Sequence, residues 1–244
     1  MSQTQGKVYL IGAGPGAADL ITVRGARLLA QADVVLYDAL VTTEMLGLCP
    51  QAVKISVGKR SGQRSAAQEH INQQMLECAA QYALVVRLKG GDPMLFGRAD
   101  EELTALESAG IDYEIVPGIT TALAAAASVR QPLTKRGVAR SVALFTSSTA
   151  PGESADTRIP ECDTLVQYMG GREATLTAQR MLAANFPGNL PVVIIENCSR
   201  PNECSQTLSL DELSKGLPLS TGPVLVMMGE AMRARTGKHT DKLS

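Results

Sequence analysis

Aromatic residues are scarce in this 244-residue chain, 3% of the total with no tryptophan, and there are only two histidines. Base-stacking surfaces for nucleic acid are therefore thin, and a net charge of -1 leaves no global electrostatic footprint for it. The five cysteines (49, 78, 162, 198 and 204) include no C-x-x-C, and neither His70 nor His239 has a Cys or His at ligand spacing. No metal is expected. An odd cysteine count points to reduced, mostly buried thiols. Cys198 and Cys204 flank a turn-like Ser199-Arg200-Pro201-Asn202, where they either face each other or are unrelated. The opening residues lack a basic segment followed by an apolar run and a small-residue cleavage site. The most alanine-rich stretch, 121–128, falls far short of the ~20 residues of a spanning helix. The expectation is a cytoplasmic protein.

What is present is ordinary for a globular protein: 45% apolar and 19% charged residues. A chain of this size hides roughly 70–75% of its unfolded surface without needing staples. Short β-branched runs at 7–11, 34–37, 53–57, 84–88 and 113–116 alternate with helical patterns at about 19–32, 65–80 and 100–109. That alternation argues for βαβ crossovers and a parallel sheet covered on both faces. A helix at 120–128 leads to the linker Gln131–Gly137. Strands are then expected at 141–145, 164–168, 192–195, 205–208 and 224–228, with helices at 173–184 and 210–215, a polar loop at 150–160 and a frayed tail from 237. The expected fold is α/β with two α/β domains. Residues 1–117 form the first, 118–140 a bridging helix and linker, 141–236 the second and 237–244 a flexible tail.

The chemistry gathers in loops. Gly12-Ala13-Gly14-Pro15-Gly16-Ala17 fits G-x-G-x-x-G/A, and Asp38 lies about twenty residues on, where a dinucleotide-binding fold puts its ribose acid. That pattern keeps an NAD(P)-dependent oxidoreductase open, although Pro15 removes a backbone N–H that a pyrophosphate would use. Gly12–Gly16, Asp38, Gly58-Lys59-Arg60, Gly90-Gly91-Asp92 and Pro117-Gly118 each follow a different expected strand. In a parallel sheet all five would lie along the carboxyl edge, where open α/β sheets bind ligands. Asp38 and Lys59 are the titratable pair there, either functional or a structural ion pair. Arg98 stands at a helix N-terminus, an unfavourable place for a cation, so a partner such as a substrate carboxylate would justify it. Arginine forks suit carboxylates, which gives the clusters at 59–64 and 130–140 a use.

Taken in order, VYLIGAGPG, ITVRG, ADVVLYDALV, VGKR, VVRLKGGDP with FGR and EE, VPGIT, PLT-x-R and QYMG resemble the uroporphyrinogen-III C-methyltransferase branch of the tetrapyrrole methylase superfamily. The resemblance runs from about Val8 to Met232. It implies S-adenosylmethionine as methyl donor, bound in the cleft between two α/β domains, and a homodimer. The implied reaction methylates uroporphyrinogen III at C-2 and C-7 to give precorrin-2 for sirohaem- or cobalamin-type cofactors. By motif match, Pro15, Gly90, Gly91, Asp92, Leu95, Thr120, Thr121, Met169 and Cys198 would hold the donor. Asp38 and Lys59 match a proton acceptor and donor. Arg98 joins them in the catalytic set and, with Glu101 and Arg136, would face the tetrapyrrole. Departures from the family pattern are Met94, Ala99, Thr121, Arg130-Gln131, Lys135 and Cys198. Those from 130 to 135 lie on the side expected to meet tetrapyrrole, so a methylase for a later precorrin is the alternative within the superfamily.

Overall fold

The computed structural model describes residues 6–57, 64–148, 158–217 and 222–234. The chain forms two compact units. The first comprises the chain up to Ala124 together with Ser199–Pro201, and the second the remainder. The division passes through a helix, α5 (Thr121–Ser128), rather than through the turn at 131–137.

The first unit is a parallel sheet of β1 (Lys7–Gly12), β2 (Val34–Tyr37), β3 (Val53–Ser56), β4 (Leu84–Lys89) and β5 (Tyr113–Val116), in the order β3-β2-β4-β1-β5. Successive strand residues face opposite ways, and both faces are covered. On one face Ile11, Val35, Val86 and Leu88 pack with Leu29, Met45 and Cys49. On the other, Val8, Leu10, Val34, Leu36 and Val85 pack with Met75, Ala79 and Leu106. This two-sided burial is why the strands read as near-continuous apolar runs. Helices α1 (Val23–Leu29), α2 (Thr43–Leu46), α3 (Arg64–Gln81) and α4 (Ala99–Ser108) connect the strands.

Two local readings need correction. The helix expected over 19–32 is a 3-10 turn at Ala18–Leu20 followed by α1, because extended Ile21 separates them. Thr22 caps the new start, its side-chain oxygen accepting the Gly25 N–H at 3.1 Å. Helix α2 was not foreseen: it is one turn long, too short to show a period, and is marked only by its Thr42 cap.

The second unit is a mixed sheet of β6 (Val142–Thr146), β7 (Thr164–Tyr168), β8 (Pro191–Glu196), β9 (Cys204–Ser209) and β10 (Val224–Met228), in the order β6-β7-β10-β8-β9. Only β6 and β7 are parallel. Its core lies under α6 (Gly170–Ala183) and α7 (Leu210–Ser214), where Leu165, Val192, Val226 and Met228 meet Ala178, Met181, Leu210 and Leu213. A capping box sets the start of α7: Ser209 and Glu212 each bond the other's backbone N–H. The α/β expectation holds in both units. The loop expected over 150–160 lies mostly outside the described residues and the tail from 237 wholly so. No described helix is long and apolar enough to cross a membrane.

Candidate active site

In the first unit the ends of β1, β2, β4 and β5 lie along one carboxyl edge, as parallel pairing requires. The edge is stitched together by backbone. Gly14 and Gly91 exchange N–H···O bonds of 3.1 and 2.7 Å, and Ala13 N–H reaches the Lys89 carbonyl at 2.7 Å. Both glycines have positive φ, 76° and 69°. Gly12, Gly91 and Gly118 meet backbone to backbone. A Cβ on Gly12 would stand 2.7 Å from the Gly91 carbonyl oxygen, and one on Gly118 would overlap that same oxygen. The space beside the Gly91 Cα is different: a Cβ there would meet nothing within 4 Å.

Asp92 ties this loop to the next. Its Oδ2 accepts the Gly118 N–H at 2.9 Å and its Oδ1 the Met94 N–H at 2.8 Å. Asp38 does the same on the other side, with Oδ1 taking Leu40 N–H at 2.9 Å and Oδ2 taking Gly90 N–H at 3.4 Å. Pro15 is buried, Leu95, Gly90 and Gly91 are half-buried, and Leu40, Met94 and Phe96 expose apolar surface nearby in the chain. Lys59 lies outside the described residues.

Arg98 has the partner its position demanded, and that partner is Glu101. The guanidinium Nε and Nη2 each donate to a Glu101 carboxylate oxygen at 2.6 Å. Two of the three residues expected to face substrate thus bind each other within this unit. Glu101 also offsets a cation held in the left-handed region, φ 55°, at the start of α4.

Thr120 and Thr121 open α5 in the first unit, both half-buried. The other two expected donor contacts belong to the second. Met169 is half-exposed at the start of α6 with φ 56°, and Gly170 follows because a Cβ there would strike Val226. Cys198 is buried; burial, then Glu203 beside it, pushes its thiol up to about 12. Arg136 is exposed on a tight turn closed by Lys135 and Ala139. Cys204 is exposed and lies opposite Glu196, not Cys198, so the two cysteines do not face each other.

Two groupings escaped the sequence reading. Arg87 and Lys89 are both buried, with Arg87 Nε 2.9 Å and Lys89 Nζ 2.6 Å from the wholly buried carboxylate of Glu102. Gln68 adds a bond to Glu102 at 3.4 Å. Desolvation pushes the Lys89 ammonium down, neighbouring Arg87 adds to it, and Glu102 opposes. The signal was available: Arg87 and Lys89 alternate with apolar residues in a strand covered on both faces, so both must find an anion on one face. The second grouping is Ser199 and Arg200. Ala17 N–H donates to Ser199 Oγ at 3.0 Å, and Arg200 Nη2 donates to the Leu40 carbonyl at 2.9 Å.

The turn after β1 does not suit a pyrophosphate. Ala13, Gly14 and Ala17 spend their N–H groups on the protein, and Pro15 has none. No α-helix starts there either; α1 begins only at Val23. The family model described as Tetrapyrrole (Corrin/Porphyrin) Methylases matches residues 7–214.

The chain belongs to the tetrapyrrole methylases.

It is 42% identical over 233 residues to "Siroheme synthase 1" of Serratia proteamaculans, an alignment covering 94% of this chain and 49% of that protein. The chain thus spans about half the length of the curated relatives it matches. Among solved structures, the uroporphyrin-III C-methyl transferase of Thermus thermophilus complexed with S-adenyl homocysteine is 38% identical. Its TM-score is 0.84, with 93% of this chain and 99% of that one covered. The cobalamin biosynthetic enzyme cobalt precorrin-4 methyltransferase, CbiF, is 29% identical with a TM-score of 0.78, covering 93% and 96%. As a tetrapyrrole methylase, the chain keeps its GGDP turn on the carboxyl edge of a parallel sheet, the place where α/β sheets take ligands.

Proposed function

We propose that this protein transfers methyl groups from S-adenosylmethionine to C-2 and C-7 of uroporphyrinogen III, yielding precorrin-2 for sirohaem- or cobalamin-type cofactors. The observation that carries the reading is the likeness, over nearly the full length of both chains, to the Thermus thermophilus C-methyl transferase complexed with S-adenyl homocysteine. The described residues fit such a donor. Gly91 leaves open space where any other residue would place a Cβ, and Asp92 and Asp38 hold the flanking loops by their backbone N–H groups.

When bound, the sulfonium supplies an electrophilic methyl group. An electron-rich pyrrole carbon needs alignment rather than activation to attack it, and the stitched loops provide a fixed frame for that alignment. Methylation leaves the ring cationic, and it regains neutrality by losing a proton. Asp38 is the acceptor in this reading: both carboxylate oxygens take backbone N–H bonds, which orient the group and leave lone pairs on each oxygen for a proton. Lys59 is assigned as the donor. Pro15, Gly90, Gly91, Asp92, Leu95, Thr120, Thr121, Met169 and Cys198 are assigned to the methyl donor, and Arg98, Glu101 and Arg136 to the substrate's carboxylates. Arg98 is already paired, so a carboxylate would share it with Glu101 or displace that residue. A homodimer in the cytoplasm completes the reading.

A second reading, a methylase for a later precorrin, draws on the likeness to cobalt precorrin-4 methyltransferase. Anaerobic incubation with S-adenosylmethionine and freshly generated uroporphyrinogen III, followed by mass spectrometry of the oxidised products, separates the two. Two added methyl groups are expected. No methylation, with S-adenosylhomocysteine still bound, favours the later precorrin.

A further inference from the structure

The connection between β8 and β9 contains residues that the proposed chemistry leaves unused. Asn197 and Ser199 have φ values of 54° and 59°, a region Asn enters readily and Ser rarely. Asn197 is buried, its N–H donates to the Pro223 carbonyl at 3.0 Å, and its amide fills the space a Cβ on Gly222 would take. Ser199–Pro201 is counted with the first unit, where Ser199 Oγ accepts the Ala17 N–H and Arg200 grips the Leu40 carbonyl.

Leu40 is the link to the chemistry. Its carbonyl is held by Arg200 at 2.9 Å, while its own N–H is given to Asp38 Oδ1 at the same distance. The Leu40 side chain is 47% exposed, with its Cβ beside Gly90, while Val41 packs on the core and gives its N–H to the Asp38 carbonyl at 3.2 Å. Thr42 Oγ1 anchors the far end on the Gly16 carbonyl at 3.2 Å. Among the described residues the buried Arg200 Nε finds no hydrogen-bond partner, while Nη2 makes the bond to the Leu40 carbonyl.

We propose that Arg200 is a positioning residue for Asp38: by holding the Leu40 carbonyl it fixes the turn whose N–H aims the carboxylate. The proposal rests on the reading of Asp38 as proton acceptor. Proton transfer to a carboxylate in a wandering turn is slower, whereas most of the donor contacts, those of Pro15, Gly91, Asp92, Leu95, Thr120, Thr121 and Met169, lie on other loops.

The test compares Arg200→Met, which keeps much of the stem but cannot donate, with Arg200→Lys, which can. Both are measured alone and with Asp38→Asn, with melting curves and S-adenosylhomocysteine binding verifying the fold. Arg200→Met is expected to lower kcat about tenfold with KM for uroporphyrinogen III unchanged, and Arg200→Lys to recover most of the loss. In the Asp38→Asn background, Arg200→Met should cost nothing further. Full turnover in Arg200→Met would overturn the proposal, as would a rise in KM alone, or losses that multiply in the double variant. If Asp38→Asn by itself keeps full turnover, the proton-acceptor reading fails instead, and that single variant reports it separately.

Discussion

Gly14 and Gly91 hydrogen-bond to each other twice, joining the ends of two adjacent parallel strands by an antiparallel bridge. The pairing needs positive φ at both residues. It closes the turn after β1 and leaves the open space on the β4 side, next to Gly91.

The neighbouring glycines should therefore respond differently to an added methyl. In Gly118→Ala the Cβ overlaps the Gly91 carbonyl, and a stability loss of about 1–3 kcal/mol is expected in denaturant melts. Gly91→Ala meets no atom and bears only its left-handed φ, at about 1–2 kcal/mol, but its methyl enters the space assigned to the donor. Titration with S-adenosylhomocysteine should show the larger affinity loss for Gly91→Ala relative to its stability loss. The reverse order would remove Gly91 from the donor site.

Asp38→Asn preserves the carbonyl oxygen that can accept from Leu40 and removes the carboxylate that would take the proton. Turnover should fall on the order of 10²–10⁴-fold with S-adenosylhomocysteine affinity intact, measured by single-turnover product analysis and calorimetry. Unchanged turnover would take Asp38 out of the mechanism.

The buried cluster on β4 holds two cations against one carboxylate, so its members are not equivalent. Glu102→Gln leaves Arg87 and Lys89 buried without the anion they hydrogen-bond and should cost about 3–5 kcal/mol in urea melts. Lys89→Met leaves the Arg87–Glu102 pair intact and neutral, and should cost clearly less. Equal losses would mean that packing, not charge, decides this cluster.

Cys198 should be chemically silent. Its thiol is raised from 9.0 to about 12, so the folded protein keeps it protonated where an ordinary cysteine ionises. Iodoacetamide at about pH 8 should label exposed Cys204 and spare Cys198 until the protein unfolds, read by peptide mass spectrometry. The sign for stability follows. Below pH 9.0 neither state ionises Cys198 and its contribution is full. Between 9.0 and about 12 only the unfolded state does, so stability falls as pH rises, and Cys198→Ala should make that fall shallower.

Arg136→Ala, on an exposed turn, should weaken uroporphyrinogen III binding several-fold with little change in melting temperature or in S-adenosylhomocysteine affinity. Parallel loss of both ligands would mark a folding defect.

Much of the fold was legible because it depends on local pattern. Apolar runs of strand length punctuated by Gly and Pro gave all five strands of the parallel sheet. Covering both of its faces requires such runs, whatever the distant chain does. The alternation of strand and helix gave parallel pairing, and parallel pairing brought the Gly12, Asp38, Gly90 and Gly118 loops to one edge. What fell short locally was short itself: the one-turn α2 and the break at Ile21, where a single Thr cap outweighs a periodic pattern.

The sequence by itself determined the α/β class, the loops of the edge and which residues those loops carry. Only the tertiary structure decided how those residues are spent. It paired Arg98 with Glu101, closed Gly14 onto Gly91, buried Glu102 between two cations, and brought Ser199 and Arg200 to loops 182 and 160 residues away. The physical reason is reach. Periodicity and turn chemistry act over a few residues, whereas which donor finds which acceptor is fixed by burial and by the closure of long loops, and no local spacing records that choice.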